Sequence, residues 1–473
     1  MSSGPNPRPP GPKPHFPIGN FPLAHANPLA TFASWARQFG DIFYYRAGWV
    51  PVYFLNHPDY VEAVLVSQYQ NFKKDRVVRN TRWIFGDGLL TSEGSSWLRQ
   101  RRIIQPAFHR ERISSYLGTM THYAEEMLAG WHDGQTRDIH QEMMQLTLRI
   151  VAKVLFGLEV KEESEKIAAA LNILIGQGAG GRMVLPPILR YLPVPSMSRV
   201  RRAARELDEI AYGIIRQRRN REHVNGDMLA MLMQAQDNDG SRMNDQQLRD
   251  EAITFLLAGH ETTALALSWG WYLLGQNPEV EEELHRELQA VLNGRAPTAQ
   301  DLPRLPYTER VIKETLRLYP PGWAVARTVL SEFELGGYRI PRGANVVLSQ
   351  WVMHRDGRFF SDPEKFDPDR WLPENAEALP RYAYFPFGAG PRGCIGSSFA
   401  MMEAIVLLAT IAQKFRLLVL PGHPVVPMPS VTLRPKHGIR VTIQQRTSDE
   451  VADVPARQPR EDPFPPYTAV TSD

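Results

Sequence analysis

Phe387-Gly388-Ala389-Gly390-Pro391-Arg392-Gly393-Cys394-Ile395-Gly396 holds the sole cysteine of a 473-residue chain. The run that follows, from about Ser397 to Phe415, sets Ala400, Met401, Ala404, Leu407, Leu408 and Ile411 at helical spacing. Cys394 therefore stands just ahead of a helix N-terminus, where free amides and the positive end of the dipole favour a thiolate. Glycines at 388, 390, 393 and 396 allow a backbone approach that a Cβ would block, and Arg392 adds a cation beside the sulfur. Three readings fit these residues. A lone cysteine is most often a buried small hydrophobe. Gly388, Gly390 and Gly393 also match the G-x-G-x-x-G of a dinucleotide loop, but so near the C-terminus no βαβ unit has room. Nor does an acid follow about 20 residues on; Glu403 comes too early. A ligating thiolate is the third, and the loop alone does not choose between it and the inert thiol.

Composition narrows the field. An apolar fraction of 43% with ten tryptophans supports a sizeable core. Basic and acidic residues number 54 and 51, for a net charge of +3, so no nucleic-acid partner is indicated. One cysteine excludes intrachain disulfides and zinc–cysteine clusters and fits a reducing compartment. Pro5, Pro7, Pro9, Pro10, Pro12, Pro14 and Pro17 read as an extended polyproline arm in place of an apolar signal or anchor. No apolar run approaches the ~18 residues of a membrane span. A cytoplasmic protein without a transmembrane anchor is expected.

Along the chain, helix is expected at Leu29–Phe39, at Pro58–Tyr69 and for a long way from Ser96, with a break at Pro186-Pro187 and Pro193–Pro195. Asp41–Arg46 and Val50–Leu55 alternate like a hairpin around Gly48, and Arg76–Gly94 reads as loop. The longest helix spans roughly Asn244 to Leu274; others run Pro278–Leu292 and Tyr307–Tyr319. Strands are expected at Phe333–Ile340, Val346–Gln350, Arg416–Leu420 and Gly438–Gln444. The organisation this implies is a Pro-rich arm over 1–28, a single mostly helical domain with a minor β part over 29–445, and a disordered tail over 446–473.

Several constellations carry chemistry. In the long helix, Ala258-Gly259-His260-Glu261-Thr262-Thr263 puts an acid and two threonines into an apolar interior. A threonine hydroxyl at 262 can bond back to the Ala258 carbonyl, Gly259 opens space for a diatomic ligand, and Glu261 with Thr262 can relay protons. The bland alternative is a solvated turn; His260 is a neighbour on another face, not a metal ligand. Glu314-Thr315-Leu316-Arg317 sets a carboxylate and a guanidinium on one helix face, and Arg370 in Phe366-Asp367-Pro368-Asp369-Arg370-Trp371 can complete a buried Arg–Glu–Arg cluster. Trp97 and Arg101 are one turn apart and suit either a cation–π pair or a shared anionic ligand; Arg327 and His354 are further donors of that kind.

Taken together, these motifs closely resemble the cytochrome P-450 superfamily of haem-thiolate monooxygenases, of the soluble bacterial type. Phe387-Gly388-x-Gly390-x-Arg392-x-Cys394-x-Gly396 is similar to its haem-binding loop, Ala258-Gly259-x-Glu261-Thr262-Thr263 to its oxygen-activation motif, and Glu314-x-x-Arg317 with Arg370 to its structural triad. The likeness extends to about Gln444. It implies the triangular, mostly helical fold of that family, with haem b between the long helix and the helix after the cysteine. Cys394 would be the iron ligand. Glu261 and Thr262 would steer protons to the oxygen being activated. Trp97, Arg101, Arg327, His354 and Arg392, with Phe387 and Gly388, would hold the haem.

The resemblance also implies a lipophilic substrate, fatty acid or terpenoid or steroid, hydroxylated or epoxidised within a pocket of Trp83, Phe85, Leu89, Leu90, Phe255, Ala258, Trp323, Ala324, Val325, Val431 and Thr432. With no flavin reductase after the last strand, two electrons are expected from a separate ferredoxin or flavodoxin with its reductase, docked near Arg99, Arg102 and Arg110, on a monomer. A peroxide-driven peroxygenase is the enzymatic rival, and the retained acid–threonine pair favours oxygen plus electrons. A non-catalytic haem-thiolate sensor is the other, and the apolar loop around Phe85–Leu90 disfavours it.

Overall fold

Asn244 fixes the start of the longest helix. Its side chain accepts from the Gln247 amide at 2.9 Å, while the Gln247 side chain accepts from the Asn244 amide at 3.1 Å. The helix so begun, Asp245–Leu274, runs 30 residues, about 45 Å. Almost every side chain from Leu248 to Leu274 is buried, which marks a helix enclosed by others. It packs on helices Ile139–Phe156, Pro195–Arg219, Pro306–Leu318 and Ser397–Ala412. The computed structural model describes residues 8–15, 18–157, 195–219, 227–237 and 240–446, with a few positions between 166 and 174.

The architecture is mainly α with a smaller β part. In chain order the strands are β1 Ile42–Ala47, β2 Val50–Leu55, β3 Phe72–Lys74, β4 Thr136–Asp138, β5 Val325–Val329, β6 Phe333–Leu335, β7 Tyr338–Ile340, β8 Asn345–Leu348, β9 Phe415–Val419, β10 Pro427–Pro429, β11 Leu433–Pro435 and β12 Arg440–Gln445. The largest sheet has the order β1-β2-β8-β5-β3, in which β2 and β8 are parallel and the other pairs antiparallel. A second sheet runs β4-β12-β9, and β6–β7 and β10–β11 are separate hairpins. Pro10 of the proline-rich arm accepts the Tyr44 amide at 2.8 Å, so the arm lies along β1. Indole stacking of Trp269 on Tyr319, with ring centroids 4.2 Å apart, anchors the main core between the long helix and Pro306–Leu318.

Two stretches differ from the expectation. Arg76–Gly94 is not all loop: Asp75 accepts the amides of Val77 and Val78 and starts the short helix Arg76–Asn80, and Arg82–Phe85 follows. Pro58–Tyr69 is helical only to Glu62 and then widens into a π-helical turn, Ala63–Ser67. Pieces this short are invisible to apolar periodicity. The expected break at Pro186-Pro187 and Pro193, and the expected tail beyond Arg446, lie outside the described residues. No described helix is long and apolar enough to cross a membrane.

Candidate functional site

The loop 387–396 owes its path to two left-handed glycines, Gly388 (φ +69°) and Gly390 (φ +66°). A Cβ on Gly390 would fall 1.9 Å from the Leu65 carbonyl oxygen, so the loop is pressed against the π-helical turn. The Cys394 amide donates to Phe387 O at 2.9 Å, and Arg101 reaches across to Gly393 O at 2.8 Å. Cys394 has accessible surface, yet burial dominates its titration. Both facts hold because its open side faces an internal cavity of about 490 Å³. Burial pushes the thiol up, against the Gly396 amide and Arg101. The helix terminus therefore does not by itself yield the thiolate expected from sequence; a cation bound at the sulfur would.

That cavity is rich in cations. Arg101, Arg327 and Arg392 line it, as does Lys74, whose head group is spent on the Leu89 and Ser92 carbonyls. Two carboxylates stand close to them: Glu93 pairs with Arg392 at 2.6 Å and accepts the Lys74 amide at 2.5 Å, and Asp75 attracts Arg327. The Arg392 guanidinium also lies 4.9 Å from the centre of the Trp97 ring, and its Nε is buried without a partner. Burial, reinforced by Arg392, holds Arg327 down to about 10. Burial takes Lys74 down to about 7, with Glu93 opposing. Such a surplus of enclosed positive charge calls for an anionic ligand.

His354 is not part of this group. It is fully buried behind the wall, where Nε2 accepts the Phe385 amide at 3.0 Å and its carbonyl accepts from Arg317 at 2.9 Å. Burial and the Arg317 charge keep the ring neutral, down to about 3. Its role in the fold is structural, and the expectation that it faces the ligand is corrected.

Across the cavity, Thr262 Oγ1 donates to Ala258 O at 2.7 Å, the back-bond its spacing implied. Glu261, one residue earlier, points elsewhere. Its carboxylate is buried and accepts Thr432 Oγ1 and Arg434 Nε, both at 2.6 Å. Adjacent helical residues cannot face the same way. A Cβ on Gly259 would approach Val151 to 3.2 Å, so this glycine serves the packing of Ile139–Phe156 as well as the cavity. His260 is buried, with Nδ1 on Leu256 O, away from the cavity.

Glu314, Arg317 and Arg370 meet as expected. Arg317 grips both Glu314 oxygens, at 2.8 and 2.9 Å, and Arg370 reaches one at 3.2 Å.

The wall contains Leu89, Leu90, Phe255, Ala258, Ala324 and Val325. The remaining expected pocket residues turn away. Phe85 is in the core, Trp83 and Val431 lie at the surface, Thr432 is spent on Glu261, and Trp323 stacks on Phe32 and donates to Ser430 O at 3.0 Å. Arg99 and Arg102, expected to face a partner, both bind Asp237.

Sequence reasoning passed over Lys74, Glu93, Glu251 and Arg434, and weighed Glu403 only as the acid of a dinucleotide loop. The last two acids interrupt apolar helices, a signal that was available. Glu403 is fully buried, and burial pushes its carboxyl up to about 8, with Thr263 opposing. Since the unfolded chain ionises near pH 4.5, this group opposes folding progressively as pH rises from there to about 8. Glu403→Gln is therefore expected to melt higher than the parent at pH 8, with the gap closing towards pH 4.5; a pH-independent gap would contradict this.

The comparisons agree with the geometry. Residues 9–443 match the family described as Cytochrome P450. Cyclooctat-9-en-7-ol 5-monooxygenase of Streptomyces melanosporofaciens is 37% identical over 86% of this chain and 88% of its own. Pentalenene oxygenase of Streptomyces avermitilis is 35% identical over 88% and 93%. A solved structure, retinoic acid bound cyanobacterial CYP120A1, superposes with a TM-score of 0.84 at 27% identity, covering 93% of this chain and all of that one.

Proposed function

The chain belongs to the cytochrome P450 family, and we propose that it is the monooxygenase of a terpenoid, with haem b as cofactor and the substrate held between Cys394 and Thr262. The family implies a haem. The cavity suits one: a sulfur ligand opens into it, and the cations around Arg392, whose Nε lacks a partner, match two carboxylates. Cys394 Sγ would hold the iron, and Arg101, Arg327, Arg392 and Trp97 the carboxylates. When bound, haem supplies activation of molecular oxygen with two electrons and two protons, inserting one oxygen atom into substrate and releasing the other as water.

The chain's own contribution is position and protons. Thr262 presents a hydroxyl at the wall, and its back-bond to Ala258 O can be exchanged for a donor role into the cavity. Glu261 lies on the β10–β11 side, engaged by Arg434 and Thr432 and outside the cavity lining, so a proton role for it requires its carboxylate to leave these partners. Apolar Leu89, Leu90, Phe255 and Val325 exclude water from the reacting bond. Electrons come from a separate donor, a ferredoxin or flavodoxin, and the acid–threonine pair supports this route over a peroxide-driven one.

The observation that carries the proposal is that Cys394 and Thr262 line one cavity with a largely apolar wall. The relatives' named substrates and the retinoic acid of the structural neighbour are isoprenoid, which favours a terpenoid over a fatty acid. Titrating polycyclic terpenoids, fatty acids and small polar compounds for low-to-high spin shifts tests it. Terpenoids should bind tightest; binding of small polar compounds alone would refute it. Thr262→Ala is expected to lower product per oxygen consumed by about 10²-fold and to divert oxygen to peroxide. Unchanged coupling would remove Thr262 from the proton path.

A further inference from the structure

Leu89 lines the cavity, and its peptide is gripped on both sides by buried side chains that the mechanism does not use. Its N–H donates to Glu251 Oε2 on the long helix at 2.9 Å. Its carbonyl accepts from Lys74 Nζ on β3 at 2.8 Å, and the same ammonium reaches Ser92 O at 2.7 Å. Next along, Asp250 accepts the Asp87 amide at 2.7 Å. The turn lies so close to the helix that a Cβ on Gly86 or Gly88 would run into Asp250. Within the turn, Thr91 Oγ1 donates to Gly86 O at 2.6 Å and the Ser92 amide to Gly88 O at 2.9 Å, so residues 86–92 form one unit. That unit is attached to the rest of the fold chiefly through Lys74, Asp250, Glu251 and the Gln100 amide on Asp87 O.

We propose that Glu251 and Lys74 form a two-sided clamp on the Leu89 peptide and are specificity-determining positioning residues, setting how far Leu89 and Leu90 project into the cavity. Hydrogen bonds to backbone rather than to the Leu89 side chain fix the wall independently of what fills it. Glu251 is completely buried and Lys74 nearly so, hence neither contact is diluted by solvent. Burial moves Glu251 up to about 8 and Lys74 down to about 7, and the contacts survive neutralisation, because a carboxyl oxygen still accepts and an amine still donates. The clamp thus depends on hydrogen-bonding groups rather than on net charge. Glu251→Gln, which keeps an acceptor oxygen, should preserve it.

The inference rests on the cavity being a substrate pocket, and its test avoids the natural substrate. Hydrogen–deuterium exchange of the haem-loaded full chain is compared for the parent, Glu251→Ala, Glu251→Gln and Lys74→Met. Dissociation constants are measured in parallel for iron-ligating imidazoles carrying small or bulky apolar groups. Exchange over residues 86–92 should rise at least tenfold in Glu251→Ala and Lys74→Met and stay near the parent in Glu251→Gln. In the same two variants the bulky-to-small affinity ratio should change at least fivefold while the thiolate spectrum is kept. Unchanged exchange, or faster exchange with an unchanged ratio, overturns the clamp. Should Glu251→Ala not fold, Lys74→Met, which retains the aliphatic stem, decides by the same readouts. Failure to hydroxylate terpenoids would count against the substrate assignment and leave the exchange result standing.

Discussion

Replacing Glu314 with alanine is expected to destabilise the protein by about 3–5 kcal/mol, the range for removing one partner of a buried ion pair. Glu314 and Arg317 are both fully buried. Besides Arg317 and Arg370, the Glu314 carboxylate accepts the Asp367 amide and Trp371 Nε1, each at 3.0 Å. Arg317 in turn donates to His354 O, Pro363 O and Lys365 O at 2.6–2.9 Å. Removing the carboxylate leaves a guanidinium charge without a counter-ion and three further donors unmet. The segment from His354 to Trp371, which is organised by these bonds, then loses its anchor, and haem retention should fall with it. Glu309→Ala is the control in the same helix. Glu309 pairs with Lys313 at 2.8 Å, but both side chains are more than a third exposed, and the loss should stay below about 1 kcal/mol. Equal melting shifts for the two variants would contradict the assignment of the cluster as the structural anchor.

Cys394→Ala is expected to abolish oxygenase activity while the fold survives. The sulfur's own partners are the Gly396 amide and the Arg101 charge; the loop is held besides by the Cys394 amide on Phe387 O and by Arg101 on Gly393 O, and alanine keeps both. No second thiolate exists to substitute, since the chain has one cysteine. Met401 also lines the cavity, but a neutral thioether supplies none of the electron release that a thiolate does. Melting close to that of the parent together with lost turnover separates ligation from folding. Residual turnover at a tenth of the parent rate or above would show that the sulfur is not the ligand.

The parts of this protein that were legible in its sequence are those written in consecutive residues. Cys394 announced itself by glycines on either side, Thr262 by sitting polar in an apolar helix, and Glu314 with Arg317 by sharing a helix face. Arg370 was reached through the resemblance of Glu314, Arg317 and Arg370 to the family's structural triad. What escaped depends on chain crossings. Lys74 and Glu251 stand 177 positions apart and meet only at the Leu89 peptide. Arg434 finds Glu261 through a hairpin whose placement is set partly by Trp323 on Ser430. His354 was misjudged because one polar residue in an apolar segment signals equally a ligand contact and a buried hydrogen bond; here it is the bond to the Phe385 amide. Phe85, Trp323, Val431 and Thr432 failed for a related reason. The resemblance places a residue in a segment near the pocket, not on one side of the cavity wall.

The central claim is that Cys394 holds a haem iron as its thiolate, in the cavity it shares with Thr262. Carbon monoxide added to the dithionite-reduced, haem-loaded protein tests it in one spectrum. A Soret maximum displaced strongly to the red, absent from Cys394→Ala, is the predicted result. A maximum at the position given by a neutral imidazole or thiol ligand, unchanged in Cys394→Ala, would contradict it.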